Sequence, residues 1–246
     1  MPETLLGKVF MIYITGDVHA KFDRVDAFCR RVYSSKQDIL IVLGDAGINY
    51  YGNQTDHQLK EKISQIPITF FCIQGNHENR PGNITGYRKM DFHGGTVWYE
   101  EEFPSILFAA DGDIYDFDGY RTIVIGGAFS LDKYYRINNE LPWFKDEQPD
   151  EQVKARVEEQ LEKNDWHIDT VLSHTVPARY VPQEAFLRGI DQSLVDKSTE
   201  EWLGTLEARL TYRKWYAGHF HTEKKIDRLE IMFTNFDIFC SNVPRR

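Results

Sequence analysis

Five apolar runs in this chain each stop at a short polar turn, and every turn carries an aspartate, an asparagine or a histidine. Phe10-Met11-Ile12-Tyr13-Ile14, in an opening strand expected from Lys8, leads into Gly16-Asp17-Val18-His19. Ile39-Leu40-Ile41-Val42-Leu43 leads into Gly44-Asp45, and Ile68-Thr69-Phe70-Phe71-Cys72-Ile73 leads into Gly75-Asn76-His77-Glu78. Thr170-Val171-Leu172 leads into Ser173-His174, and Lys214-Trp215-Tyr216-Ala217 into Gly218-His219-Phe220-His221. Short runs of this composition read as strands. Polar groups gathered at the carboxyl ends of strands are the signature of a parallel or mixed sheet that builds its site there. The central turn is 73–78. Gly75 turns the backbone without a Cβ penalty, Asn76 offers a neutral oxygen, and His77 exchanges a proton near neutral pH.

Together the turns supply Asp17, His19, Asp45, Asn76, His174, His219 and His221. This is a nitrogen and oxygen donor set with no thiolate. It suits manganese, iron, zinc or nickel better than calcium or magnesium. Seven donors exceed what one four-coordinate ion takes, so two metal ions sharing a carboxylate is the natural reading.

Between the turns the pattern alternates. Phe22, Val25, Phe28, Cys29 and Val32 recur at helical spacing, which predicts a helix over 22–33 and a right-handed crossover to the next strand. A second helix is expected over 55–65, ended before Pro67. From Gly95 to Gly127 the pattern turns to β, with strands expected at 96–99, 106–109 and 122–125 and a hairpin at Asp118-Gly119. Asp111, Asp113, Asp116 and Asp118 lack the glycine placement of a calcium loop and read as an exposed hairpin. Asp150 is placed to cap a helix over 151–164, and Ser198 or Thr199 to cap another reaching about Leu210. Alternating runs at 226–233 and 237–239 close a sheet. Pattern alone gives an α/β fold, and the length fits one large domain or two small ones; a single domain spanning 1–246 is the expectation.

The formal net charge of −9 and the absence of a lysine–arginine stripe speak against a nucleic-acid partner and a nuclease. No apolar run approaches the roughly 20 residues of a membrane span. Met1-Pro2-Glu3-Thr4 lacks a signal-peptide pattern, and Cys29, Cys72 and Cys240 are few and scattered. A cytoplasmic, reducing location is the expectation.

In its motifs and their order, the chain resembles the calcineurin-like metallophosphoesterase superfamily from Asp17 to His221. The resemblance implies two β-sheets packed face to face with helices outside. It implies that Asp17, His19 and His221 hold one metal, that Asn76, His174 and His219 hold the other, and that Asp45 bridges them. In such enzymes a metal-bridging hydroxide attacks phosphorus, and a histidine in the position of His77 protonates the leaving oxygen or stabilises charge on the phosphoryl group. The activity implied is phosphoester hydrolysis with two divalent ions, manganese foremost. A phosphomonoesterase or serine/threonine-type protein phosphatase comes first. A nucleotide phosphodiesterase or dinucleoside polyphosphate hydrolase is the alternative, and a non-catalytic metal-binding scaffold the reading from another class. The expected partner is a phosphorylated small molecule, nucleotide or phosphoprotein.

Two positions depart from the pattern. Serine/threonine phosphatases of the superfamily carry an aspartate three residues after the bridging one, paired with the catalytic histidine, and an arginine just after it that grips phosphate. Here those places read Ile48 and Asn49-Tyr50. His77 is thus expected to lack a carboxylate partner. Arg80 is the candidate replacement for the phosphate-gripping arginine, since a guanidinium matches phosphate bidentately. Tyr50 and Tyr51 follow the bridging aspartate and are candidates for stacking on a substrate ring, with Tyr134, Tyr135 and Arg136 opposite. His93-Gly94-Gly95 comes too early in the chain for the superfamily's histidine-glycine-glycine motif, a role His174 fills better.

Overall fold

The computed structural model describes residues 10–185, 195–241 and 243. Lys8, where the opening strand is expected to begin, and the N-terminal tetrapeptide lie outside the described residues. Three strands, β1 (Ile12–Thr15), β2 (Ile39–Val42) and β3 (Thr69–Cys72), run side by side and parallel. The first crossover is α1 (Asp23–Val32) and the second is α2 (Gln54–Ser64), near the predicted limits. Beyond β3 the sheet continues through β6 (Ile106–Ala109), β5 (Gly95–Tyr99) and β4 (Arg88–Phe92). On its other edge β13 (Phe236–Ile238) pairs antiparallel with β1.

The second sheet places β9 (Thr170–Ser173) parallel to its neighbours β8 (Tyr120–Ile125) and β10 (Lys214–Ala217). Its edges are β7 (Ile114–Phe117) and the hairpin of β11 (Lys224–Ile226) with β12 (Leu229–Ile231). The helices α4 (Glu151–Lys163) and α5 (Ser198–Arg209) cover its outer face.

Alternation along each strand decides the layering. Ile12 and Ile14 of β1, Ile39 and Ile41 of β2, and Phe71 of β3 enter the core between the sheets, where they meet Tyr115, Phe117, Val124, Leu172 and Tyr216. The intervening Tyr13, Leu40, Val42, Phe70 and Cys72 face outward onto Val25, Phe28 and Ile63 of the first two helices. In the second sheet Val171 and Trp215 likewise face Val157, Leu161, Leu203 and Leu206. Both faces are covered, which is why these runs are apolar at most positions. Each such side chain contributes roughly 1.5–3 kcal/mol on burial. The architecture is an α/β sandwich of two mixed sheets between helices.

Four elements differ from expectation. The strand β4 reads Arg88-Lys89-Met90-Asp91-Phe92, mostly exposed at a sheet edge, so pairing with β5 forms it and no apolar alternation marks it. The short helix α3 (Lys133–Asn138) buries only Arg136, so it has no apolar face for a periodicity to reveal. The run at 226–233 breaks at Asp227, which has φ +52°, and its halves become the hairpin of the second sheet, while 236–238 crosses to the first. The helix α5 starts without a Ser198 or Thr199 cap: Asp196 Oδ1 accepts from the Ser198 amide at 2.9 Å, and Thr199 Oγ1 donates to Gln148 Oε1. The Asp150 cap is present, accepting from the Gln152 and Val153 amides.

Candidate metal centre

The carboxyl ends of β1, β2, β3, β9 and β10 open at one place, and the five turns converge there. Asp17, Asp45, Asn76 and His174 are buried, while His19 and His221 stand at the rim. Two triads place their ligand atoms within 4.8 Å of one another: Asp17 with His19 and His221, and Asp17 with Asp45 and His174. His19 Nε2 and His221 Nε2 are 2.8 Å apart, at 3.6 and 3.3 Å from Asp17 Oδ2. That oxygen is buried and accepts no hydrogen bond. Asp45 reaches both ways, with Oδ1 3.5 Å from His174 Nε2 and Oδ2 3.9 Å from His19 Nε2. The His219 ring packs against His174, with centroids 5.0 Å apart, and its amide donates to Asp17 Oδ1.

Proton bookkeeping shows what this arrangement wants. His174 Nδ1 faces the Leu43 carbonyl at 2.8 Å, so that nitrogen carries a hydrogen and Nε2 is turned toward the carboxylates. Nε2 faces Asn76 Oδ1 at 2.9 Å, and the Asn76 amide nitrogen is turned away to donate to Ser130 Oγ. Nitrogen and oxygen ligand atoms therefore converge beside an orphaned carboxylate oxygen. A cation would satisfy that oxygen, and these residues fit a metal site.

The backbone is shaped for this. His19, Asp45, His219 and His221 all take positive φ, between 47° and 70°. For residues with a Cβ this region costs about 1 kcal/mol each or more, and such conformations gather at functional sites. Gly75 does not take positive φ; a Cβ there would lie 2.0 Å from Asp45 Oδ1, so the glycine makes room for the carboxylate. Gly44 does, at φ +91°, and its Cβ would lie 2.1 Å from His174 Nδ1.

The electrostatics are correspondingly strong. Burial alone would raise the Asp17 carboxyl, but the His19 and His221 imidazoles beside it and the nearby His174 outweigh this and hold it low. Asp45 is lowered too, burial being overcome by His174 and His77. His219 is pushed down to about 3, by burial first and His174 second, so it is a neutral donor at any working pH.

His77 is directed by its neighbours. Its amide donates to Asp45 Oδ1 at 2.8 Å, and its ring lies edge-on to His19 with centroids 5.4 Å apart. Its Nε2 is 3.6 Å from Asp132 Oδ1. The expectation that His77 lacks a carboxylate partner is thus corrected: Ile48 is buried in the helix-side core, and Asp132 arrives from a distant loop in its stead. Burial lowers the His77 pKa, with Asp45 and Asp132 opposing.

Arg80 is held by acidic neighbours, Asp111 and Asp146. Its Nη1 is hydrogen-bonded to Asp111 Oδ2 and its Nε to the Asp146 carbonyl, and among the described residues none of its hydrogen bonds or ion pairs is with the ligand cluster. The fully buried cation beside the site is Arg136, 3.8 Å from Asp132 and beneath the Tyr50 ring. Tyr50 does reach the site, its ring within 14° of parallel to His77 at 6.4 Å. Tyr134 and Tyr135 are exposed on α3. His93 is remote, on the turn between β4 and β5 against the Asp116 carbonyl. Sequence reasoning missed Ser130, Asp132 and Glu147. The loop after Gly126-Gly127 is the only signal, because it follows another strand end.

The chain matches the calcineurin-like phosphoesterase family over residues 10–223, and it belongs to that family. No curated protein matches it significantly. Among solved structures it is similar to the protein TT1561 of Thermus thermophilus, with TM-score 0.50 and 12% identity over 91% of this chain and 88% of that one. A protein of unknown function from Aquifex aeolicus, AQ665, matches with TM-score 0.33 and 13% identity over 68% of this chain and 79% of that one. At such identity the TT1561 likeness speaks for the fold alone. No helix among the described residues is long and apolar enough to cross a membrane.

Proposed function

We propose that this chain hydrolyses phosphoesters, phosphomonoesters first, using two divalent ions of which manganese is foremost. Asp17, His19 and His221 hold one ion, Asn76, His174 and His219 hold the other, and Asp45 is shared. The observation that carries this reading is Asp45 with one oxygen directed to each histidine group. When bound, two such ions lower the pKa of a water and clamp the attacking and leaving oxygens.

The chain's own groups do the rest. Asp45 fixes the His77 backbone through the amide hydrogen bond, so the imidazole is carried at a set distance from the shared carboxylate. His77 delivers a proton to the leaving oxygen, and Asp132 orients and charges the ring for that task. Tyr50 forms a wall beside His77 for the leaving group, backed by Arg136. An alkoxide leaving group needs such an acid, which favours esters of alcohols, whether small molecules or phosphoproteins. The free, buried state of Cys29, Cys72 and Cys240 fits a reducing location such as the cytoplasm.

The test is hydrolysis of p-nitrophenyl phosphate and bis-p-nitrophenyl phosphate by metal-stripped protein with manganese restored. Faster monoester turnover supports the reading, and faster diester turnover moves it to a phosphodiesterase. Tight metal binding with no turnover of either moves it to a scaffold.

A further inference from the structure

We propose that Ser130 is a positioning residue that fixes which face of the Asn76 amide meets the metal, and that Glu147 fixes Ser130. The proposal rests on the reading of Asn76 as a metal ligand.

An asparagine amide has an oxygen on one side and a nitrogen on the other, of nearly equal size. Only the oxygen can ligate a cation, and rotation by half a turn would present N–H hydrogens to it instead. Something must decide between the two orientations. Around Asn76 the decision comes from a hydroxyl with a single proton. Ser130 is fully buried, and its Oγ donates that proton to Glu147 Oε2 at 2.5 Å. The carboxylate is held in place by two further donors, the Ser130 amide at 3.1 Å to Oε1 and Trp143 Nε1 at 2.8 Å to Oε2. With its proton committed, Ser130 Oγ can only accept. It accepts from Arg136 Nη1 at 3.2 Å and from Asn76 Nδ2 at 2.9 Å.

The reverse orientation of Asn76 would put Oδ1 against an oxygen with no proton to give. The observed one puts Oδ1 2.9 Å from His174 Nε2, on the side where the cation is needed. Ser130, Arg136 and Glu147 are 0%, 1% and 3% exposed, so water does not compete for these bonds. All three belong to one segment, the arm from 130 to 147 that carries α3. The same arm sets Asp132 against His77, so consecutive residues of the metal turn are registered by residues two apart on the arm.

The test is manganese titration of the metal-stripped full chain by calorimetry, comparing the parent with Ser130→Ala, Ser130→Thr and Glu147→Gln. Groups that orient a metal ligand typically change affinity by about 10–100-fold when removed. The expected result is that Ser130→Ala weakens one of two bound equivalents by about that factor and leaves the other within about threefold. Ser130→Thr keeps the hydroxyl and binds as the parent does. Glu147→Gln keeps Ser130 and the volume, but its amide can donate to Oγ, which frees the serine proton for either Asn76 orientation; it weakens the same equivalent. Parent-like binding in Ser130→Ala overturns the proposal, as does equal weakening of both equivalents. Weak binding in Ser130→Thr also overturns it, since the hydroxyl is then not the cause. A parent chain that binds no manganese overturns the metal reading itself, and this proposal with it.

Discussion

Asp132 Oδ1 stands 3.6 Å from His77 Nε2, and that oxygen is buried with no hydrogen bond of its own. A carboxylate so placed strengthens the imidazolium form and opposes the burial that lowers the His77 pKa. Replacement of Asp132 by Asn keeps the shape and removes the charge. Turnover of an alkyl phosphate is expected to fall at least about tenfold, and that of p-nitrophenyl phosphate much less, because a good leaving group needs little acid assistance. Manganese affinity stays unchanged. Equal losses on the two esters would assign Asp132 a structural role.

Asp17 is the member common to both ligand triads. A cation that binds the folded chain alone stabilises it by about 2.7 kcal/mol at a hundred times its dissociation constant. For a chain of this length that raises the melting temperature by roughly 5–10 °C. The parent should show this rise on adding manganese, and Asp17→Asn should lose most of it. Scanning calorimetry of the two proteins with and without metal decides the matter.

Glu78 lies fully buried beneath the metal turn, accepting from the Gly75 and Gly47 amides. Burial first and Asp45 second raise its pKa from 4.5 to about 8, against those amides. Between these values the folded state keeps a proton that the unfolded state has released. The contribution to stability is therefore complete below pH about 4.5 and is lost as pH rises through 8. Metal-stripped protein should lose more stability between pH 6 and 9 than its Glu78→Gln variant does, as read from urea midpoints. Parallel pH curves for the two proteins would contradict this.

Arg80 is bonded to Asp111 and to the Asp146 carbonyl, away from the ligands. Arg80→Ala should leave KM for p-nitrophenyl phosphate within about twofold and cost about 2 kcal/mol of stability, by stranding Asp111. A KM raised tenfold at unchanged stability would restore Arg80 as a phosphate ligand.

The parts of this molecule that the sequence disclosed are those fixed by local rules. The strands of the two sheets that end at the centre are apolar at most positions because both faces are covered, and their turns announce themselves by Asp, Asn and His. The helices α1 and α4 carry, respectively, an apolar stripe and a capping aspartate. What remained hidden depends on long-range contact. Asp132, Ser130 and Glu147 sit in a loop whose aromatic and charged residues have no period, and their roles appear only when the arm folds back onto 75–78. The partner of Arg80 was hidden for the same reason: Arg80 is near the metal turn in sequence, but Asp111, to which its guanidinium bonds, is not. The edge strand β4 is made by pairing and has no signal of its own.

The most direct measurement is phosphoester hydrolysis set beside metal content. Metal-stripped protein should be inactive, and two equivalents of manganese should restore turnover of p-nitrophenyl phosphate. His77→Ala should bind the same two equivalents while losing about a hundredfold or more in kcat. A chain that binds two equivalents and hydrolyses no phosphoester, or that hydrolyses them equally well without metal, would contradict the account.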